Sequence, residues 1–309
     1  AVTGTQLATG FMTDSQGNYS FEMNSTLPEL IEITFEGEGT DTLTGETHKT
    51  PMSALMTKED LEASNKKAHI TYMSTLLNEL TKEEMEIAKA DTTLSETEKV
   101  AEMKSIELSK QLKMSECFGI SLENLKKDPI DTEDIDAISA AQTVHNTIET
   151  IARGIENDAD LTESTKSTLT RSKIMGSLIT IIKDTAGKFP FNTATKIKEI
   201  YDDMENVSNV SLTKKDNMST FMAATNSEIE SSSTQGSFNR KAATKISKGS
   251  TLRDEMIKEM NKPDNKFKDT NPFDYADFIG MKTDAETNET PMDSIKHRID
   301  KNGNKARYT

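Results

Sequence analysis

The chain has 309 residues, no Trp, 33% hydrophobic and 5% aromatic residues, and 52 acids against 37 Lys and Arg, for a net charge of −15. No apolar run approaches the roughly 20 residues that span a bilayer as a helix, and the acid excess opposes nucleic-acid binding, which needs a basic footprint. A single Cys, Cys117, excludes an intrachain disulfide framework and any Cys-based zinc cluster.

Residues 1–50 read as a β module. Tyr19, Phe21 and Met23 alternate with Ser20 and Glu22, and Ile31, Ile33 and Phe35 alternate with Glu32, Thr34 and Glu36. Period two with one acidic face describes half-buried strands. Asp14–Asn18 supplies a turn, Leu27-Pro28-Glu29 separates the two runs, and Gly37, Gly39 and Gly45 punctuate the stretch after Phe35. So few short strands make a poor core alone, so another segment or another chain is expected to complete the sheet. The start, without Met or a signal-like apolar stretch, reads as processed or truncated.

Residues 51–225 read as a helical bundle. Thr57-Lys-Glu-Asp60, Thr81-Lys-Glu-Glu84 and Ser95-Glu-Thr-Glu98 have the capping-box pattern, in which hydroxyl and carboxylate satisfy orphan N–H groups reciprocally. The helix from Ser95 is expected to stop at Gly119. Asp131–Arg153 carries Ile135, Ile138, Ala141, Val144, Ile148 and Ile151 on one face, with Gly154 as its expected end. Leu161–Ala186 predicts one long helix or two short ones. Ile197, Ile200, Tyr201 and Met204 mark another, and Met218, Phe221 and Met222 a weaker one. Residues 226–309 read as an extended arm with short helices. The stretch 226–250 is rich in Ser, Thr, Lys and Ala, as in a linker. Leu252, Met256, Ile257 and Met260 form an amphipathic piece, and Thr290-Pro291 opens a last short helix. The fold class is therefore α+β: a short antiparallel β module, a mainly helical body and a late arm.

Two stretches carry a family resemblance. Thr13-Asp-Ser-Gln-Gly-Asn-Tyr-Ser-Phe21 is similar to the T-D-x-x-G-N-Y-x-F signature of carboxypeptidase-regulatory-like and related Ig-like β-sandwich modules. Gly39-Thr-Asp-Thr-Leu-Thr-Gly45, followed by Thr50-Pro-Met-Ser-Ala-Leu-Met56, resembles the place where such a sandwich hands over to helices. That handover occurs in large bacterial surface proteins and in phage or large-virus structural proteins. Phe118-Gly-Ile120, Lys127-Asp-Pro-Ile130 and Ala140–Val144 resemble the helical continuation, so the likeness spans about residues 1–152. The upstream half of a sandwich is missing. The resemblance implies adhesive or structural parts and no catalytic residues.

The chemistry-bearing residues are sparse. His48, His69, His145 and His297 are scattered without metal-ligand spacing, and no phosphate loop or nucleophile elbow occurs. His145 reads as a packed histidine on its helix seam, and Cys117 as a small buried hydrophobe. Asp128, Asp131, Glu133, Asp134 and Asp136 form the densest acidic cluster, the one candidate for calcium, although their spacing is not that of an EF-hand. Asp131 and Asp134 equally suit the dipole of a following helix. No other cofactor is expected.

Charge position is more informative. Residues 1–50 hold eight acids against Lys49, whereas 240–248 carry Arg240, Lys241, Lys245 and Lys248 without an acid. Further on, Lys296, Arg298, Lys301, Lys305 and Arg307 face only Asp293 and Asp300. An acidic body with basic late segments complements copies of itself. Phe267, Phe273, Tyr275 and Phe278 suit anchors in a partner's pocket, or fold back on their own bundle. The sequence thus points to a non-enzymatic structural subunit of a multi-copy assembly, a virion component or an extracellular surface array or filament. Its expected partners are copies of itself and other parts of that assembly, with no nucleic acid and no membrane insertion. The alternative is an extracellular adhesion or ligand-binding module that uses calcium.

Overall fold

A computed structural model describes residues 19–20, 27–35, 39–40, 47–129, 131–232, 237–269 and 273–283. The expected strand around Phe21 and Met23, the turn at 14–18, and the helix from Thr290 lie outside the described residues.

Four strands come first: β1 (Leu30–Phe35), β2 (Gly39–Thr40), β3 (Thr47–His48) and β4 (Met52–Thr57). β1 pairs antiparallel with β4, with Leu30 opposite Thr57 and Phe35 opposite Met52, and β2 pairs with β3 inside that hairpin. The sequence predicts a turn to helix after Pro51. Instead Met52–Thr57 is the strand that completes the sheet, so the missing partner is another segment of this chain. The periodicity of β4 misleads because its four central residues are buried on both faces, which removes the alternation. Leu55 packs with Met85, Ala88, Met103 and Ile106, while Met56 packs with Ile31 and Leu61.

Ten helices follow among the described residues: α1 (Lys58–Ala63), α2 (Tyr72–Ala90), α3 (Glu96–Phe118), α4 (Ile135–Glu156), α5 (Glu163–Thr168), α6 (Arg171–Asp184), α7 (Ala194–Ser208), α8 (Lys215–Ser231), α9 (Phe238–Met260) and α10 (Tyr275–Thr283). The architecture is α+β, a small antiparallel hairpin followed by a mainly helical body. Thr57 with Asp60 and Ser95 with Glu98 form the expected capping boxes, and Gly119 ends α3 at φ 70°, which a residue without Cβ adopts freely. Two expected boundaries move. Thr81 lies inside α2, where its hydroxyl donates to the Asn78 carbonyl, and the box that opens α2 is Thr71 with Ser74. Gly154 does not end α4. The helix runs on to Glu156, and Gly154 within it lets the Met218 side chain approach, an added Cβ lying only 2.9 Å from Met218 Cε.

The composition of 226–250 suggests a linker, yet it forms the end of α8 and much of α9. α9 packs along α4 and α8. Its small residues make that approach possible: Ala242 is buried against Ile138 and Phe238, and Gly249 is buried opposite Asn146 and Ile229. α4 is the central element, contacted by α2, α6, α8 and α9.

Candidate functional site

The feature that sets this molecule apart is a buried polar seam along α4. Nearly every residue from Ala137 to Ile155 is buried, polar ones included. Glu149 lies at the seam's centre, 1% exposed. Its two oxygens receive the Arg171 guanidinium from α6 as a fork, Nε to Oε1 at 2.9 Å and Nη2 to Oε2 at 3.0 Å. The Thr50 hydroxyl, just before β4, donates to Oε1 at 3.0 Å. Arg153 Nε lies 3.8 Å from Oε2. Such bidentate, charge-assisted bonds are the strong ones.

Arg253 enters the seam from α9 and is 1% exposed. Its Nη1 donates to Asn146 Oδ1 at 2.8 Å, and Nη2 lies 3.3 Å from His145 Nε2. The His145 ring meets Tyr72 of α2 edge-on, with centroids 4.8 Å apart. Asn146 Nδ2 donates to Asn226 Oδ1 of α8 at 2.8 Å, and Asn226 Nδ2 donates to Thr147 Oγ1 and to the Phe191 carbonyl. One helix is thereby tied by polar contacts to α6, α8 and α9 and by a ring contact to α2.

The electrostatics follow from this geometry. Burial opposes ionisation of Glu149, but the Arg171 hydrogen bonds and the charges of His145, Arg171 and Arg253 outweigh it and hold the carboxyl at about 2. Burial, reinforced by the Glu149 charge, pushes the Tyr72 phenol up. Inside a low-dielectric core, hydrogen bonds of this kind are strong and an orphaned partner is costly. The seam therefore fixes which helix faces meet, because a rotation of α4 would bury its charges without partners. Among the described residues, a recess lined by Thr71, Ile120, Leu125 and Ala141 has room for little more than a water.

Gly249 marks a close approach of α9 to α4 and α8. A Cβ there would sit 3.1 Å from both Arg253 Nη1 and Asn146 Oδ1 and 3.3 Å from Ile229 Cδ1. Gly249→Ala is expected to destabilise the fold by about 1–3 kcal/mol, overriding the roughly 1 kcal/mol that Ala gains in a helix. A urea midpoint equal to or above wild type contradicts this packing.

The sequence-predicted site residues fall elsewhere. Phe267 is fully buried and Phe278 3% exposed, and Phe267, Phe273, Tyr275 and Phe278 surround Phe221 of α8 with ring centroids 5.4–6.5 Å away. The Tyr275 hydroxyl donates to Glu228 at 2.9 Å. These aromatics pack against their own bundle, with Phe273 and Tyr275 half-buried. Lys245 is buried, and its Nζ donates to the carbonyls of Ile229 and Glu230 near the α8 C-terminus; burial lowers its pKa. Lys248 pairs with Glu228 at 2.8 Å. Lys241 is half-buried on α9, and the Arg240 side chain lies outside the described ones.

The acidic cluster spreads around the start of α4. Asp134 is the N-cap, accepting from the Asp136 and Ala137 amides, and its other oxygen accepts from Asn124. Among the described residues no three His, Cys, Asp or Glu converge as a metal group, so Asp128, Asp131, Glu133, Asp134 and Asp136 do not form a calcium cage. Cys117 is buried, and burial raises its pKa. No helix among the described residues is long and apolar enough to cross a membrane.

A surface feature with no internal role is the outward face of α3; Ile87 and Val207 are exposed elsewhere. Leu108 and Leu112, one turn apart, are each 53% exposed. The chain matches no family model, no curated protein and no solved structure.

Sequence reasoning misses the seam, although a signal for it exists. From Ala137 to Ala152 the only Asp, Glu, Lys or Arg is Glu149. A sixteen-residue helical stretch with one formal charge reads as a helix buried all round, and that charge then needs a buried partner.

Proposed function

We propose that the chain is a non-enzymatic structural subunit of a multi-copy assembly, a virion component or part of an extracellular array or filament. The observation that carries this reading is the paired exposure of Leu108 and Leu112 on α3, an apolar stripe on a chain whose other large apolar groups mostly enter its core. A half-exposed leucine pair on a long helix is the kind of surface that a neighbouring subunit covers. The polar seam supports the reading, since it gives the subunit one packing and hence one surface to present. The likeness of residues 1–152 to the β-to-helix handover in surface and virion proteins supports it as well.

The test is the mass of the full chain by light scattering across a concentration series. Mass rising above 34.2 kDa with concentration is expected. A constant monomer mass up to millimolar concentration contradicts the reading.

A further inference from the structure

The outward face of α3 and the sequence of residues 290–307 match in pattern and in sign. On α3, Ala101, Ser105, Leu108 and Leu112 are all exposed and follow one another at spacings of four, three and four. That is the seam by which one helix accepts another. The lysines of α3 turn to partners in this chain. Lys99 donates to the Lys89 carbonyl, Lys104 to Glu29 and Glu59, Lys110 to Glu84 and Lys113 to the Thr185 carbonyl. The exposed charges left on this face are Glu98, Glu102 and Glu116. Glu98 is held by Ser95 in the capping box, and neither Glu102 nor Glu116 has an ion-pair partner among the described residues. The face is an apolar stripe with an acidic rim.

Residues 290–307 lie outside the described residues, and their sequence is the complement. Met292, Ile295 and Ile299 recur at three and four. In the short helix that Thr290-Pro291 predicts, they share one face, with Lys296 on one flank and Arg298 on the other. Lys301, Lys305 and Arg307 add to the positive charge against Asp293 and Asp300. Apolar stripe meets apolar stripe, and a basic rim meets an acidic one.

We propose that residues 290–307 of one copy dock on the outward face of α3 of a second copy. This rests on the subunit reading above and names its contact. The contact is heterologous, face to segment, so each copy both gives and receives, and the arrangement propagates into a ring or filament.

Two full-length variants test it. One carries Glu102→Lys and Glu116→Lys; the other carries Lys296→Glu, Arg298→Glu and Lys301→Glu. All of the α3 changes are at exposed positions, and circular dichroism verifies that both variants fold. Each variant alone is expected to self-associate at least tenfold more weakly than wild type by light scattering. An equimolar mixture is expected to recover association, because the reversed face of one variant then meets the reversed segment of the other. Association of either variant at wild-type strength, or loss without recovery on mixing, overturns the docking while leaving the subunit reading intact. Wild type that never exceeds monomer mass overturns the subunit reading instead.

Discussion

Replacing Glu149 by Ala is expected to cost about 3–5 kcal/mol of folding stability, the range for removing one partner of a buried ion pair. The loss is large because Arg171 and Arg253 remain inside without the carboxylate that balances them. The control is Glu156→Gln. Glu156 binds the same Arg171, at 2.7 Å, but its side chain is 49% exposed, so the loss there is expected to stay under about 1 kcal/mol. Urea denaturation of the three proteins measures both. Equal losses at the two positions contradict the buried seam.

Glu149 also sets an acid dependence. Its carboxyl is held at about 2 in the fold against an ordinary 4.5. A depressed folded pKa means stability that is fully present above 4.5 and is lost as pH falls from there toward 2. Between those limits wild type is expected to lose on the order of 3 kcal/mol more than Glu149→Ala does, each tenfold change in proton affinity being worth about 1.4 kcal/mol. Parallel stability curves for the two proteins through this window contradict the assignment.

The second large effect is expected at Phe267. It is fully buried between Phe221, Phe273 and Phe278, at centroid distances of 5.4, 5.1 and 5.6 Å. Phe267→Ala is expected to destabilise the monomer by about 3–5 kcal/mol, as truncation of a large core side chain does. Were this aromatic an anchor in a neighbouring subunit, the same change would weaken association and leave the unfolding midpoint of a dilute sample unmoved. The two measurements together, unfolding at low concentration and mass at high concentration, separate an internal cluster from an intersubunit one.

Where the sequence is legible, one physical signal dominates. β1 alternates because one face is buried and the other is not. α3 is framed by Ser95-Glu98 and Gly119, both of which work through local backbone chemistry that a sequence displays directly. α7 shows its buried residues at Ile197, Ile200, Tyr201 and Met204 because its other side faces solvent. The failures have different causes. β4 is buried on both faces, so its pattern loses contrast, and its Met, Ala and Leu content reads as the start of a helix. α4 is read as a helix, but its apolar stripe does not announce that its polar residues are buried as well. α9 fails in the opposite sense. Its Ser, Thr, Lys and Ala content suggests a linker, but small residues there let two helices approach, and Lys245 and Arg253 find acceptors supplied by α8 and α4. The Arg253 acceptor lies 107 residues away along the chain, and no local pattern announces it.

The aromatic segment shows the same limit. Clustered aromatics mark a place where apolar area is concentrated, without saying whose. Phe221, in a stretch that reads as only weakly helical, presents a face to them within the same chain. The assembly reading then passes from those aromatics to α3, whose exposed leucines nothing among the described residues covers.

The measurement that tests this most directly is the weight-average mass of the full chain beside its Leu108→Glu/Leu112→Glu variant, by light scattering over the same concentrations. Wild type is expected to rise above 34.2 kDa as concentration increases, while the variant, folded by circular dichroism, stays at monomer mass. Identical mass curves for the two proteins would contradict the account.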